Sequence, residues 1–260
     1  MSKPKGYVDT GYLRVVGNLV QQVKQRSYAL MQIQPGHTVL DVGCGPGTDT
    51  ISLAGLVGSA GQVVGVDYDP AMIGEADQRA VKAGVSSWVR HKQADAASLP
   101  FESDTFNSSR SERLFQHLLN PVQALSEMTR VTKPGGWIVV LDTDFGTLST
   151  DTAEVDIERR LARFKAEGHL HNGYSGRQLY RLFKRQGIND ISIEMVPVYL
   201  TDYALARQTT VADSLEQEAL KAGIITEDEL RRWHTDLEKA DAEGVYFGSA
   251  SQMLVAGRKA

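Results

Sequence analysis

The sequence predicts an α/β fold with a Rossmann-like, mostly parallel sheet, and two observations support this prediction. Residues 39–42 form a short apolar strand that runs into a glycine-rich turn at residues 43–47 and then into a helix. Further apolar strands, at residues 62–67 and 137–142, are separated by segments with helical spacing. Strands and helices that alternate in this way form a parallel sheet with helices on its faces.

The composition indicates one ordinary globular domain with insertions. The chain has 260 residues, of which 42% are hydrophobic and 23% charged, and its net charge is −4. This mild acidity, without a run of Lys or Arg, argues against nucleic acid as a partner. No apolar stretch follows the first charged residues or reaches the length of a membrane span. We therefore expect a cytoplasmic monomer or homodimer without membrane attachment; its single cysteine, Cys44, excludes an intrachain disulfide.

The first half of the chain can be divided into elements by apolar spacing and turn residues. A leading amphipathic helix is expected over residues 12–33, followed by strand 39–42 and helix 48–56. Strand 62–67 precedes a helix that starts at Pro70 and ends near Gly84. We expect a third strand at 87–92, a short fourth strand at 105–111, a helix at 121–131 and a fifth strand at 137–142.

After residue 145 the character of the chain changes. Residues 151–167 are charged and helical, a helix is expected from Ser175 to about residue 186, and residues 191–200 form a long strand. Residues 204–243 are again helical, and residues 246–257 close the chain as a strand. We therefore expect a leader at 1–34 that can act as a lid, and a domain at 35–260 with helical cap insertions at about 146–174 and 204–243.

The glycine-rich turn is the first indication of a ligand. Gly43, Gly45 and Gly47 can adopt positive φ angles and let the backbone approach a nucleotide closely. Such a turn alone is weak evidence, because a tight strand-to-helix crossover also needs glycine. Asp67 strengthens the interpretation: it ends the second strand, 24 residues after Gly43, where an acid can bind both ribose hydroxyls.

The glycine turn has two interpretations, as a site for NAD or for S-adenosylmethionine. A dinucleotide fingerprint needs glycine or alanine three residues after Gly45, where this chain has Thr48. Asp41 lies within the turn region, where its carboxylate would repel a pyrophosphate but would suit a cationic amine or sulfonium. The electrostatics therefore favour S-adenosylmethionine over NAD.

The motifs together resemble the class I S-adenosylmethionine-dependent methyltransferases, particularly the ubiquinone and menaquinone C-methyltransferases and similar small-molecule enzymes of secondary metabolism. The resemblance covers about residues 35–145, and it implies a seven-stranded sheet whose last strand is antiparallel. It is carried by four stretches in the family's order: residues 39–47, residues 64–72 with Asp67 and Pro70, residues 94–101, and residues 125–141 around Lys133-Pro134-Gly135-Gly136.

The resemblance also implies which residues bind the cofactor. Asp41 and residues 43–47 would line its methionine end, and Asp67 would hold the ribose. Tyr68 and Met72 would pack near the adenine, although core packing is an equal alternative for Met72. Asp95 would accept a hydrogen bond from the adenine amine, and Ala96 would offer its backbone amide. The expected cofactor-binding residues are Asp41, Gly43, Cys44, Gly45, Gly47, Thr48, Asp67, Tyr68, Met72, Asp95, Ala96, Arg110, Ser111 and Gln116.

Strand four departs from the family pattern. Relatives carry an acid and then aliphatic residues there, whereas this chain has Asn107-Ser108-Ser109 followed by Arg110 and Ser111. Arg110 or Ser111, at the carboxyl end of the strand, should face the methionine part of the cofactor, and Gln116 and His117 should begin the floor of the active site.

Methyl transfer needs a base only when the acceptor atom arrives protonated. The candidate bases are His117, Asp142, Asp144, His169 and His171, of which His117 is equally explained as a half-buried structural histidine and one of the two aspartates as a helix cap. His169 and His171 lack a partner pair with ligand spacing, so no metal is expected.

The sequence therefore predicts S-adenosylmethionine-dependent methyl transfer to a carbon, oxygen or nitrogen atom of a small organic molecule, such as a secondary metabolite or a quinone-like ring. The alternatives are an NAD-dependent oxidoreductase and a non-catalytic cofactor-binding protein with the same fold.

Overall fold

The computed structural model describes residues 21–260, which build one seven-stranded sheet with helices on both faces. The strand order is β3-β2-β1-β4-β5-β7-β6. Neighbouring strands from β3 to β5 pair in parallel, and β7 runs antiparallel to both β5 and β6. This is the predicted Rossmann-like sheet with an antiparallel last strand. The strands are β1 Thr38–Val42, β2 Gln62–Asp67, β3 Val89–Gln93, β4 Phe106–Glu112, β5 Thr132–Thr150, β6 Asn189–Leu200 and β7 Gly248–Arg258.

Helices connect these strands and continue beyond β5 into a helical cap. Among the described residues the α-helices are α1 Gln21–Leu30, α2 Thr48–Val57, α3 Pro70–Lys82, α4 Pro121–Val131, α5 Val155–Phe164, α6 Ser175–Arg185, α7 Tyr203–Thr210, α8 Ala212–Lys221 and α9 Glu227–Ala242. A 3-10 turn spans Phe115–His117, and a π-helical turn, Lys165–His169, extends α5. The first part of the predicted leading helix, residues 12–20, lies outside the described residues.

Two apolar clusters fill the space between the sheet and the helices. One packs α4 and α6 against the sheet through Leu125, Met128 and Phe183. The other packs α1 and α2 against the opposite face through Val23, Tyr28 and Leu53. A third cluster, around Trp233, belongs to the helical cap of α5 and α7–α9. No helix between residues 21 and 260 is long and apolar enough to cross a bilayer.

β5 differs most from its predicted extent. The apolar run ends at Asp142, but the strand continues to Thr150, because its backbone pairs with β7 from Trp137 to Asp144 and, after an irregularity in the register, again at Ser149 and Thr150. The charges that suggested an end to the strand are accommodated: Asp142 accepts a hydrogen bond from Ser175, and Asp144 from Arg177. Backbone pairing therefore extends the strand past the point where side-chain hydrophobicity stops.

The predicted helical stretch at residues 204–243 is three helices. Val211, with a φ of 53°, separates α7 from α8, and Gly223, with a φ of 67°, follows α8. Helical backbone cannot continue through such left-handed residues. Thr226 and Glu229 then form a capping box at the start of α9, as their spacing predicts.

Candidate active site

The glycine turn connects β1 to α2 at the carboxyl edge of the sheet. Gly43, Gly45 and Gly47 have φ angles of 77°, 51° and 77°. The amides of Gly43 and Cys44 donate to the carbonyl of Val66 at 2.8 and 2.9 Å, which ties the turn to β2. A Cβ on Gly43 would lie 3.0 Å from Leu114 Cδ2, and one on Gly47 would lie 2.9 Å from the Cβ of Ala76. The packing around Gly43 and Gly47 therefore leaves no room for a side chain at either position.

Asp67 holds the same turn from the end of β2. Its Oδ2 accepts from the Gly45 amide at 2.9 Å and its Oδ1 accepts from the Asp69 amide at 3.0 Å. Burial raises the pKa of Asp67 above its usual value, while these backbone donors oppose the rise. Each oxygen still has a lone pair for a further donor. The geometry therefore suits a carboxylate that orders the turn and can bind a diol.

The other residues expected around the adenine lie beside this corner. Met72 is buried, and Tyr68 is 60% exposed. The carboxylate of Asp95 accepts from the Ala97 amide at 2.8 Å, which orders the loop that contains the buried Ala96. Two further residues face other partners: the Cys44 side chain is buried against Gly65, and the exposed Thr48 accepts from Arg79 at 3.3 Å.

A buried group of ionic side chains lies beneath the glycine turn. Arg110, on β4, is 1% exposed and contacts three carboxylates. Its Nη1 lies 3.2 Å from both Asp41 Oδ1 and Asp49 Oδ2, and its Nη2 donates to Glu112 Oε2 at 2.8 Å. Arg110 lies opposite Asp41 in the β1–β4 register, which explains how the two meet. We call Lys24, Asp41, Asp49, Arg110 and Glu112 the buried ionic cluster.

Helix α1 completes the buried ionic cluster from outside the sheet. Lys24 Nζ lies 3.1 Å from Asp49 Oδ2 and 3.2 Å from Glu112 Oε1. The Tyr28 hydroxyl donates to Asp49. Helix α1 thus places the Lys24 ammonium and the Tyr28 hydroxyl against the first turn of α2. These contacts fix α1 to the helix that follows the glycine turn.

The pKa values of two carboxylates in this cluster are shifted in opposite directions. Burial raises the pKa of Asp41 to about 7, although Arg110 opposes the shift. Burial also acts to raise the pKa of Asp49, but Arg110 and Lys24 outweigh it, and this pKa is lowered. Among the described residues, Asp41 Oδ2 has no hydrogen-bond partner. An unsatisfied buried acceptor next to the glycine turn is suited to a cationic ligand.

The carboxyl end of β4 supplies two more unsatisfied groups. Within the described part of the chain, Ser111 Oγ and Gln116 Oε1 are buried without a hydrogen-bond partner. Gln116 Nε2 contacts His117 Nε2 at 2.9 Å in the 3-10 turn. The structure therefore places Ser111 and Gln116 near the end of β4, as predicted, while the Arg110 side chain points into the buried ionic cluster.

The candidate bases have different surroundings. Asp142 is fully buried; it accepts from Ser175 Oγ at 3.0 Å and from the Gln116 amide at 3.3 Å, and burial raises its pKa to about 7. Asp144 is paired with Arg177 at 2.6 Å. His169 is buried against Glu218 at 3.1 Å, whereas His171 is exposed. Asp142 thus joins β5, the 3-10 turn and α6, which is a structural role that the sequence did not suggest.

His91, on β3, lies against the glycine turn, a contact that the sequence does not single out. The His91 side chain is fully buried; its Nε2 lies 2.8 Å from Thr50 Oγ1, and its Nδ1 lies 2.8 Å from Asp77 Oδ1. A Cβ on Gly47 would lie 3.2 Å from His91 Nε2. One feature relates to this contact: the small Gly65 on β2 pairs in register with the larger His91 on β3 and leaves space for its ring.

The residues at this edge fit S-adenosylmethionine. The open glycine cradle, the Asp67 carboxylate and the unpartnered Asp41 Oδ2 match a nucleoside that carries a cationic amino acid chain. Within residues 21–260 no group of three or more His, Cys, Asp or Glu side chains could hold a metal ion. The fold and the site together are those of a nucleoside-cofactor-binding α/β domain.

Comparison with known proteins gives the family. Residues 33–187 match the model of a family described as a methyltransferase domain. Since this match covers more than half of the chain, the protein belongs to the methyltransferase domain family, and the class I S-adenosylmethionine-dependent fold that its motifs resemble is confirmed.

Two curated relatives illustrate the family. The chain is 30% identical over 225 residues to an uncharacterised 37.1 kDa protein in transposon Tn4556 of Streptomyces fradiae, covering 86% of this chain and 63% of that protein. It is 37% identical over 125 residues to a demethylmenaquinone methyltransferase of Bacillus cereus, covering 48% of this chain and 52% of that enzyme. The chain thus spans less than two thirds of the length of these relatives.

Solved structures share the fold. The YcgJ protein of Bacillus subtilis superposes with a TM-score of 0.64 at 20% identity, covering 93% of this chain and 98% of that one. The geranyl diphosphate C-methyltransferase of Streptomyces coelicolor, solved with S-adenosylhomocysteine, superposes with a TM-score of 0.58 at 18% identity, covering 98% of this chain and 86% of that one. At these identities the likeness concerns the fold.

Proposed function

We propose that the protein transfers the methyl group of S-adenosylmethionine to a small organic molecule. One observation carries the proposal: the buried, unpartnered Oδ2 of Asp41 lies beside a glycine turn that Asp67 holds open. This combination of an acid and bare backbone suits a cationic nucleoside and disfavours a pyrophosphate. Family membership and the similarity to proteins named as methyltransferases support it.

In this proposal the chain's own residues bind and orient the reactants. S-adenosylmethionine supplies a methyl carbon that is already activated by the sulfonium. Asp67 accepts the ribose hydroxyls, Gly43, Gly45 and Gly47 allow close approach, and Asp41 faces the positively charged end. Tyr68, Met72, Asp95 and Ala96 form the adenine side, and Ser111 and Gln116 offer polar atoms at the methionine side. Catalysis then consists mainly of alignment and exclusion of water.

The base, where one is needed, is proposed among the groups at the carboxyl ends of β4 and β5. His117 lies on the 3-10 turn directly after β4, and it contacts Gln116. Asp142 and Asp144 are engaged by Ser175 and Arg177. His171 is exposed on the segment between the π-helical turn and α6. We propose His117 as the first residue to test, because it follows β4 directly and its half-buried ring lies beside Gln116.

The remaining expectations are part of the same proposal. The acceptor is a secondary metabolite or a quinone-like molecule, methylated at carbon, oxygen or nitrogen. Relatives named for demethylmenaquinone and for geranyl diphosphate support a small acceptor. We further propose that the protein works in the cytoplasm as a monomer or homodimer, without nucleic acid. Residues 1–34 and the helices of the cap, at about 146–174 and 204–243, would close over the acceptor.

Calorimetric titration tests the proposal. We expect S-adenosylmethionine to bind and NADH not to bind. Asp67→Ala should weaken the affinity for S-adenosylmethionine by about 10- to 100-fold, because it removes charge-assisted hydrogen bonds. Asp156→Ala, which alters an exposed carboxylate on α5, is the matched control and should leave the affinity unchanged. Tight binding of NADH together with no binding of S-adenosylmethionine would contradict the proposal.

A further inference from the structure

Lys165 is a buried cation without an acidic partner. Three Lys or Arg residues in the described part of the chain are buried: Lys24, Arg110 and Lys165. Lys24 and Arg110 form ion pairs with two or more carboxylates each. Lys165 is 2% exposed, and its Nζ donates to the backbone carbonyl of Thr210 at 2.5 Å without an ion pair to any described carboxylate. A buried ammonium needs a counter-charge, so its surroundings are incomplete.

The two groups that contact the Lys165 ammonium directly, a backbone carbonyl and an aromatic ring, are uncharged. Its Nζ lies 5.3 Å from the centre of the Phe145 ring, on the segment of β5 just beyond Asp144. Glu218 acts on it through charge, but its carboxylate is bonded to His169 and to Ser214. Burial lowers the pKa of Lys165 to about 7, so the neutral amine and the ammonium are both accessible near neutral pH. An anion placed at Nζ would shift this balance toward the ammonium.

A cavity of about 70 Å³ lies within the helical cap, and its lining includes residues of α5 one turn before Lys165. Leu161 and Ala162 of α5, Leu148 of β5 and Trp233 of α9 give it an apolar wall. Lys165 follows Ala162 and Leu161 by three and four residues, which places it over the same face of the helix. Thr210, which accepts the Lys165 hydrogen bond, also lines the cavity.

The acids that line the cavity are already paired. Glu158 contacts Arg159 at 3.0 Å, and Glu216 contacts Arg207 at 2.8 Å and His234 at 3.0 Å. Lys165 differs from these cations, because within residues 21–260 it forms no ion pair and only Glu218 acts on it through charge. The π-helical turn that begins at Lys165 is a further irregularity, of a kind frequent at functional sites.

We propose that Lys165 binds the acidic oxygen of the acceptor, a carboxylate or phenolate, while the apolar part of the acceptor occupies the adjacent cavity. This rests on the proposed function and names its substrate class: an apolar organic acid rather than an amine or a neutral terpene-like molecule. Lys165 is a substrate-binding residue in this account, located between the end of β5 and the cap.

Butyrate and 1-butanol are suitable probes, since they have similar size and differ in the acidic group. Their dissociation constants are measured by NMR titration, at about pH 8, on the full chain. We expect butyrate to bind at least about tenfold more tightly than 1-butanol. Because binding favours the ammonium form, butyrate binding should be coupled to the transfer of a proton from the buffer to the Lys165 amine, seen as a binding heat that depends on the buffer's ionisation enthalpy.

Variants separate the charge of Lys165 from its packing. Lys165→Met should abolish both the preference for butyrate and the proton uptake, and Lys165→Arg should keep the preference but lose the uptake, since Arg stays charged. Lys184→Met is the matched control, because Lys184 also lies over an aromatic ring, that of Tyr180, but is exposed. If Lys165→Met does not fold, the test rests on the affinities of the wild type and of Lys165→Arg for butyrate and 1-butanol.

Equal affinity of the wild type for butyrate and 1-butanol overturns the inference, and so does a preference that survives in Lys165→Met. S-adenosylmethionine affinity is measured on the same samples. Loss of that affinity in the wild type would contradict the proposed function, whereas normal cofactor binding without a butyrate preference contradicts only the role of Lys165.

Discussion

Arg110 is the residue on which the electrostatics of the cofactor corner depend most. It is fully buried and shares its guanidinium among Asp41, Asp49 and Glu112. Removal of one partner of a buried ionic group leaves uncompensated charge in a medium of low polarity, which costs much more than the pair contributes. Without Arg110, the buried ionic cluster would hold three carboxylates and only one cation, Lys24.

Arg110→Met should therefore destabilise the protein by about 3–5 kcal/mol. The free energy of unfolding is measured by urea denaturation. Arg231→Met, which breaks an exposed pair with Asp228 on α9, is the control and should change it by less than about 1 kcal/mol. Equal losses for the two variants would show that the buried ionic cluster has no special role.

Asp142 should make stability depend on pH. Its folded pKa, raised to about 7 by burial, lies above the value of about 4 in the unfolded chain. The folded state therefore holds the proton more tightly, and the contribution of Asp142 to stability is fully present below about pH 4 and is lost as the pH rises to about 7.

The comparison with Asp142→Asn isolates this effect. The unfolding free energy of the wild type minus that of the variant should fall between about pH 4 and pH 7 and stay level above it. Urea denaturation across this range measures the difference. A difference that rises with pH, or does not change, would show that Asp142 is not protonated in the fold.

The glycine turn determines where helix α2 begins. Gly47, its N-cap, has a φ of 77° and lies against Ala76 of α3 and His91 of β3. The turn, α3 and β3 are therefore packed closely together, and a single Cβ on Gly47 would displace the side chains of Ala76 and His91.

Gly47→Ala should destabilise the protein by about 1–3 kcal/mol and weaken S-adenosylmethionine binding, because it adds backbone strain and a clash. Gly74→Ala is the control within α3: a Cβ there meets no atom within 4 Å, and the variant should be more stable by about 0.5–1 kcal/mol. Thermal unfolding and calorimetry measure the two quantities. Full cofactor affinity in Gly47→Ala would contradict the role of this turn.

Single elements show how far side-chain pattern predicts structure. β1 and β2 were predicted within a residue or so, because apolar runs bounded by glycine and aspartate are unambiguous. The turn signals predict β4 as a short strand without bulky aliphatic residues. The strand is buried from Phe106 to Glu112 except at the partly exposed Asn107. Its serines and arginine are stabilised by partners distant in sequence, such as Thr132 and Asp41, which no local pattern reveals.

The cofactor corner was predictable for a similar reason. Residues 41–47 are contiguous, and Asp67 stands at the spacing at which nucleotide-binding folds place an acid after the second strand. No such known spacing links Lys24 to Asp49, His91 to Thr50 or Lys165 to Thr210, so the sequence does not single out these contacts. Long-range pairing of polar groups is the part of the site that requires the fold.

Over the whole molecule, the sheet order brings the ends of β1, β2, β4 and β5 to one edge, while the cap covers the extension of β5. The glycine turn and the cavity of the cap are therefore built from different segments of the chain. In our proposal the first binds the cofactor and the second the acceptor, which would explain why the sequence of the cap carries no recognisable motif.

Transfer of a labelled methyl group tests the account most directly. The protein is incubated with S-adenosylmethionine labelled at its methyl carbon and with the small-molecule fraction of a cell extract. The account predicts label in an organic acid with the wild type and almost none with Asp67→Ala. Binding of S-adenosylmethionine without any transfer of label would contradict it and would indicate a cofactor-binding protein that is not an enzyme.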